Sequence, residues 1–376
     1  AITLIDRFRT HLWKPLLHEV AAGSMDVHAH QLDYLAQAYW RHFTFCFGAM
    51  DGLDRARREV FVAPVHDAAG VEVIPRRAIG YDTLVIAVGS EVNDFGTPGV
   101  AQYAFALDTA KQAASFQRSL VNACLRADHV SPAAHAKQLN VVIVGGGATG
   151  VELAAELHRT TRLLAAYGLK NFNPEQDLKL TLINADARIL PALPEYLSVA
   201  TADVLRGLNV DIRCNELATE VTADAVLTRG GQRFPADLSV WAAGIRAPVF
   251  LREIDGLETN RLDQLGVQPT LQTTRDPDIF AFGDCAACPW VGQEGMVPPR
   301  AQAAHQQASL LCKNLAGRLD GKPLRPFHYR DFGSLVSLGK YSTVGNLMGF
   351  VSGGSLRIEG WFARLMYESL YKMHLM

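Results

Sequence analysis

Residues 141–157, VVIVGGGATGVELAAEL, have the residue types and spacing that hold a dinucleotide pyrophosphate. Val141, Val142, Ile143 and Val144 form a β-branched run that predicts a strand buried on both faces. Gly145, Gly147 and Gly150 then make G-x-G-x-x-G, and Val151–Leu157 opens as a helix. In that order the first glycine permits a tight turn, the second lets backbone approach phosphate, and the third lets helix and strand pack closely. The helix N-terminus offers N–H groups and a positive dipole end to the anion. A bare glycine-rich turn would have no need of a buried strand before it and a helix after it.

Other residues could do chemistry. Asp278–Gly283 ends a short apolar strand, and Asp284 follows; Gly283 would allow close approach, Asp284 could bond polyol hydroxyls, and the small residues beyond could start a helix. Asp6 closes an opening strand, where an acid can hydrogen-bond ribose hydroxyls, a reading that fits better than a solvated strand-end charge. Gln302 and Gln306 are four apart and share one helix face, which alone fits an ordinary polar face better than a binding site. His305 between them fits a packed or solvated histidine better than a proton relay. Cys285-x-x-Cys288 directly follows the Gly-Asp turn, a poor place for a redox dithiol. No second Cys or His pair stands at zinc spacing, and no metal site is expected.

The elements that must position these residues are written twice. Arg58–Val62 and Val71–Ile74 predict short strands, followed by Tyr81–Gly89; Ala225–Thr228 and Gln232–Phe234 predict a hairpin around Gly230-Gly231, followed by Ala236–Gly244. Each half ends a buried strand in small residues, Ala87 and Gly89 or Ala243 and Gly244, where a nucleotide can come close. The repetition predicts two related α/β nucleotide-binding domains. The first strand and glycine turn belonging to Asp6 would lie before residue 1, so the chain is expected to begin within a domain. The 376 residues allow two or three domains, and 49% hydrophobic with 20% charged residues is ordinary for a globular protein. A net charge of −2 gives no basic field for nucleic acid, and six scattered cysteines suit a reducing compartment. Toward the C-terminus, Trp361, Leu365, Ser369 and Met373 recur every four residues, with Arg364, Glu368 and Lys372 on another face. Such a helix suits a membrane interface, or it covers its own domain.

In this order the three markers resemble the two-dinucleotide-binding-domain flavoproteins of the pyridine nucleotide–disulfide reductase superfamily. More narrowly, the chain resembles the type II NADH dehydrogenases, single-subunit NADH:quinone oxidoreductases that do not pump protons. His11–Leu17, Val151–Leu157, Trp241–Pro248, Phe282–Cys285 and Val297–Gln306 carry the resemblance, most specifically Ala301-Gln302-x-x-x-Gln306. It implies two Rossmann-like domains: a discontinuous FAD domain at 1–101 and 260–330, an inserted NADH domain at 102–259, and a membrane-associating region at 331–376. For FAD it implies Asp6 on the adenosine ribose, Lys14, Pro15 and Leu16 along the isoalloxazine, Gly89 near the adenosine half, Gly283 and Asp284 on the ribityl side, and Gln302 on the pyrimidine. For NADH it implies Gly145, Gly147, Thr149 and Gly150 at the pyrophosphate, Asn184 at the ribose, Ala243 and Gly244 along the cleft, and Glu152 at the flavin–nicotinamide contact. Glu152, Gln302 and Gln306 would be the catalytic residues, the amides meeting a quinone carbonyl without bringing charge into an apolar pocket. Asn184 departs from the family's usual Glu and weakens the case for NADH over NADPH. The resemblance further implies a respiratory-chain enzyme on the cytoplasmic face of the cell membrane, held there peripherally by its C-terminal helix and compatible with a homodimer; the chain stops short of the family's usual end. A sulfide:quinone oxidoreductase of the same fold and a non-catalytic nicotinamide-binding redox sensor are the alternatives.

Overall fold

Buried β-branched and leucine-rich runs set the architecture. The computed structural model describes residues 1–129, 138–338, 343–348 and 355–359. Two compact units divide the chain. One comprises Ala1–His11, Leu32–Glu91 and Ile245–Asp331; the other comprises Leu12–Gln31, Val92–Gly244 and the residues from Phe332 onward.

The second unit is built on a five-stranded parallel sheet in the order Ala104–Phe105, Leu238–Trp241, Leu139–Val144, Leu178–Ile183, Val210–Arg213. Helices Ala148–Gly168 and Glu195–Gly207 supply the crossovers between its successive strands. Val141, Ile143 and Leu182 are fully buried, as a sheet covered on both faces requires. The hairpin at Gly230-Gly231 forms, Ala225–Thr228 pairing antiparallel with Arg233–Pro235, and Ala218–Val221 adds a third strand. Gly333–Ser337, Thr343–Met348 and Ser355–Glu359 make a further antiparallel sheet of three. The helix expected over 361–373 lies outside the described residues.

The first unit holds two parallel pairs, Thr3–Asp6 with Thr44–Phe47 and Leu84–Ile86 with Ile279–Ala281. An antiparallel sheet of Met50–Asp54, Glu59–Val62 and Arg77–Gly80 accompanies them. Its core gathers Ile86, Leu271, Phe280 and Leu311, the last from helix Ala301–Leu319. After Gly283-Asp284 no helix follows. One 3-10 turn, Gly283–Cys285, leads into Ala286–Ala287, which pairs with Leu265–Gly266 and buries those small side chains.

The units cut the chain at 91/92 and 244/245, where the family resemblance implied domain edges at 101/102 and 259/260. They also assign 12–31 to the second unit. Helix Leu17–Ala22 explains this, since Leu17, Val20 and Ala21 join one core with Phe116 and Leu120 of helix Ala110–His129. Among the described residues no helix is long and apolar enough to cross a membrane.

Candidate functional site

The glycine-rich turn in the second unit is tightly packed at its two ends and open in the middle. Gly145 has φ 118°, and a Cβ there would lie 2.6 Å from the Ala242 carbonyl. A Cβ on Gly150 would lie 2.0 Å from the Gly145 oxygen, so this turn of helix closes over the strand end only with glycine. A Cβ on Gly147 would meet nothing within 4 Å. Gly147 is also the N-cap of helix Ala148–Gly168, with no side-chain cap and no acid in the first turn. Gly147 and Thr149 are exposed while Gly150 is buried. Uncapped N–H groups facing open space beside a glycine are what a pyrophosphate needs.

Asn184 does a different job from the one its strand-end position suggested. It is 6% exposed; its Oδ1 accepts from the Gly146 N–H at 3.1 Å, and its Nδ2 donates to the carbonyls of Arg188 at 2.9 Å and Asp186 at 3.3 Å. The amide is spent stitching the glycine turn to the 184–188 loop and is not held out toward a ribose. A carboxylate could not make both donations, which is a local reason for Asn here. Ala243 is half-buried and Gly244 exposed; Gly244 has φ 68°, and a Cβ on it would come 2.4 Å from the Phe95 ring. Asn93, missed in the sequence, braces this edge by donating its backbone N–H to Gly244 O at 3.3 Å and accepting from Trp241 Nε1 at 2.9 Å.

Glu152 lies one turn into the same helix and is 6% exposed. Its Oε1 accepts the Ser337 backbone N–H at 3.0 Å, and its Oε2 lies 3.5 Å from His18 Nδ1. Burial, reinforced by Glu19 and Glu156, pushes its carboxyl up to about 8 against the Ser337 N–H. Burial also pulls His18 down to about 4, against Glu156 and the Pro15 carbonyl. At neutral pH both groups are neutral, so the 3.5 Å contact is dipolar and not an ion pair. His18 Nδ1 is 2.9 Å from Pro15 O, an atom that only accepts, so this nitrogen carries the hydrogen.

Lys14 and Pro15 are exposed, and Lys14 Nζ pairs with Asp108 at 2.9 Å. Leu16 was expected to lie along the isoalloxazine with them. It is instead 3% exposed, because this 3-10 turn runs straight into the buried helix Leu17–Ala22.

In the first unit, Asp6 Oδ1 accepts from the Phe8 N–H at 2.7 Å and Oδ2 from Tyr34 OH at 3.1 Å. Gly89 and Gly283, with φ 72° and 74°, follow the carboxyl ends of the paired strands Leu84–Ile86 and Ile279–Ala281. A Cβ on Gly89 would face open space, and Asp284 Oδ2 accepts from Ser90 Oγ at 2.8 Å. Carboxylates that accept from hydroxyls, with Gly89 leaving room at a strand end, fit a flavin dinucleotide.

The two glutamines are anchored at one place. Gln302 Nε2 donates to Asp331 Oδ1 at 3.2 Å, and Arg300 donates to Asp331 Oδ2 at 3.0 Å. Gln306 grips the Arg330 backbone, Nε2 donating to its carbonyl at 2.8 Å and Oε1 accepting its N–H at 3.1 Å. That double bond to the backbone makes Gln306 a brace for 330–331 and takes its amide from the expected quinone carbonyl. The residue the sequence concealed is Gln307. It lies on the buried stripe with Ala303, Leu311 and Asn314, and its Oε1 accepts the Gly283 N–H at 2.8 Å. A polar residue four from Ala303 and four from Leu311, on the buried stripe, was the available signal. Gln307→Ala strands that N–H at a cost of about 1–3 kcal/mol. The variant is expected to lower the melting temperature and retain less FAD after gel filtration, while Gln307→Glu, which keeps the acceptor, retains more; equal flavin-to-protein absorbance ratios would refute this.

Cys285 and Cys288 are buried, and burial pushes both thiols up to about 11, far from a reactive thiolate. His305 is exposed.

Residues 1–308 match the pyridine nucleotide-disulphide oxidoreductase family. The type II NADH:quinone oxidoreductase of Haemophilus influenzae is 43% identical over 99% of this chain and 86% of its own length. NdhA, the type II NADH:quinone oxidoreductase of Mycobacterium tuberculosis, is 25% identical over 100% of this chain and 78% of its own. Among solved structures, NDH2 from Plasmodium falciparum in complex with NADH superposes with a TM-score of 0.85 at 18% identity, covering 100% of this chain and 89% of that one. The sulfide:quinone oxidoreductase of Aquifex aeolicus shares the fold with a TM-score of 0.73 at 18% identity, over 99% of this chain and 84% of that one. With its open glycine turn, its strand-end carboxylates and a near-full-length relative at this identity, the chain belongs to the pyridine nucleotide-disulphide oxidoreductases and, within them, to the type II NADH:quinone oxidoreductases.

Proposed function

We infer that this protein is an FAD-dependent NADH dehydrogenase that reduces a quinone. The observation that carries this is the glycine turn at 145–150, open at Gly147 and uncapped, in a chain matched along nearly its whole length by a type II NADH:quinone oxidoreductase. When bound, FAD supplies a two-electron centre that takes hydride from the nicotinamide and returns electrons to the quinone.

The chain's own residues then have assignable tasks. Gly145, Gly147, Thr149 and Gly150 bind the NADH pyrophosphate, and Ala243 and Gly244 line its edge, Gly244 packed against Phe95. Asn184 fixes the turn that does this binding. Asp6 and Asp284 accept from sugar hydroxyls of the flavin, with Gly89 leaving room beside them. Quinone reduction by NADH consumes one proton from solution, and Glu152 holds a proton at neutral pH on a buried carboxyl. Gln302, oriented by Asp331, is the polar contact for the quinone. Peripheral attachment at the cytoplasmic face belongs to the same proposal, supported by the apolar and basic pattern of 361–373 and by the membrane location of quinones.

Gln302→Ala tests the acceptor side. Reduction of a short-chain quinone by NADH is expected to fall about tenfold, the value of one good hydrogen bond, while reduction of a soluble dye is nearly unchanged. Equal losses with both acceptors would remove Gln302 from the quinone site.

A further inference from the structure

Three segments distant in sequence converge on one buried carboxyl, and only Glu152 itself belongs to the dinucleotide-binding pattern. We propose that His18 is a positioning residue for the reaction: the Ser337 backbone N–H donates to one oxygen of the Glu152 carboxyl, and the His18 Nδ1–H, donated to Pro15 O, sets the positive end of its dipole beside the other. The proposal rests on the assignment of Glu152 as the acid at the nicotinamide contact and adds what sets its orientation and proton affinity.

A glutamate carboxyl turns readily about its last torsion, so a single donor leaves it free to swing. Here Ser337 donates to Oε1 at 3.0 Å from strand Gly333–Ser337, and His18 Nδ1, on helix Leu17–Ala22, lies 3.5 Å from Oε2. Pro15 O, 2.9 Å from the same nitrogen, fixes the ring and its tautomer. His18 is 1% exposed, so no water competes for this N–H. Both N–H groups favour the anion, and removing either tightens the proton on Glu152.

The other charges around the carboxyl act in known directions. On its own helix, Glu156 opposes ionisation but is held by Arg159 at 2.7 Å. Helix Leu17–Ala22 adds Glu19, whose Oε1 is 4.0 Å from His18 Nε2. Strand Gly333–Ser337 carries no titratable side chain. Strands Leu139–Val144 and Leu178–Ile183 add only Lys179, which is exposed. Helix Pro174–Asp177 adds Asp177 and Glu175, and Glu175 pairs with Arg162, about 15 Å along the helix from Glu152. Helix Ala110–His129, packed on His18's own helix, turns Lys111, Arg118 and Arg126 to solvent. That helix also buries Asp128, which accepts from the Asn171 and Phe172 N–H groups, and Glu152's own helix buries His158; His18 Nδ1 lies 3.5 Å from the carboxyl.

Two substitutions separate the N–H from mere bulk. His18→Asn returns an amide N–H at the place of Nδ1, whereas His18→Gln sends its amide toward the place of Nε2. The measurement is an infrared difference titration of the oxidised holoenzyme, following the protonated-carboxyl C=O band that Glu152→Gln abolishes. The wild type and His18→Asn are expected to titrate together, and His18→Gln about one pH unit higher, a tenfold tighter proton. Midpoints unchanged in both variants, or raised equally in both, would overturn the proposal. The band needs neither NADH nor quinone, so failure of NADH oxidation in the wild type would remove the functional assignment of Glu152 without imitating either result.

Discussion

Gly150→Ala is expected to weaken NADH binding by about 100-fold, with the sheet and core intact. The added methyl would lie 2.0 Å from the Gly145 oxygen, and also 3.3 Å from Ile143 Cγ2. A methyl has no torsion by which to escape, and its nearest neighbour is backbone. The strain, about 3 kcal/mol, is relieved by lifting the first turn of helix Ala148–Gly168 away from the strand. That displaces the N–H groups facing the pyrophosphate, and 1.4 kcal/mol is worth tenfold in affinity. Gly147→Ala is the informative companion, because its Cβ meets nothing within 4 Å and any loss of binding there comes from the ligand's own space. Quenching of protein fluorescence by NADH gives both dissociation constants, with circular dichroism to confirm folding. Binding by Gly150→Ala within about threefold of the wild type would exclude this turn as the pyrophosphate site.

Glu152→Gln is expected to lower NADH:quinone turnover at pH 7 by about 100-fold, the usual value of a positioned acid–base group. It should also change how stability depends on pH. Burial raises the folded carboxyl from its ordinary 4.5 to about 8. Below 4.5 both folded and unfolded states hold the proton; between 4.5 and 8 only the folded state does. The unfolded chain then binds fewer protons, so wild-type stability falls as pH rises through that window, by on the order of 1 kcal/mol per unit, and levels off above it. Glutamine has no proton to lose. Urea unfolding at pH 5, 6.5 and 8 is therefore expected to show the variant gaining on the wild type at each step. A constant difference across the three would mean that Glu152 is ionised throughout and holds no proton for the reaction.

The strand–turn–helix at 141–157 was legible because a parallel strand covered on both faces must be a β-branched run, and because Gly145 and Gly150 stand where backbone meets backbone. The hairpin at 225–235 was legible for a similar local reason, a Gly-Gly turn between apolar runs. Partners contributed by remote segments were not legible. Gln306 looks like a site residue until Arg330 is beside it, Asn184 like a ribose ligand until Gly146 and Arg188 take its amide, and Glu152 owes its unusual proton affinity to burial, reinforced by Glu19 and Glu156. Leu12–Gln31 was assigned by sequence position to the flavin domain. Its helix instead buries Leu17, Val20 and Ala21 in the core of the other unit, and short apolar helices do not declare which core they will join.

The interleaving of the two units has a consequence for biosynthesis. The chain passes between them after residues 11, 31, 91, 244 and 331. Strand Leu84–Ile86 leaves the ribosome about 190 residues ahead of its parallel partner Ile279–Ala281. At roughly 5–20 residues per second, that strand waits on the order of 10–40 seconds with an open edge. All five strands of the large parallel sheet, by contrast, lie within Val92–Gly244, so that sheet can close while the other unit is still incomplete. Nascent chains long enough to expose Trp241 but not Ile279 should accordingly be the ones that recruit chaperones, with the five-stranded sheet complete and strand Leu84–Ile86 still without its partner.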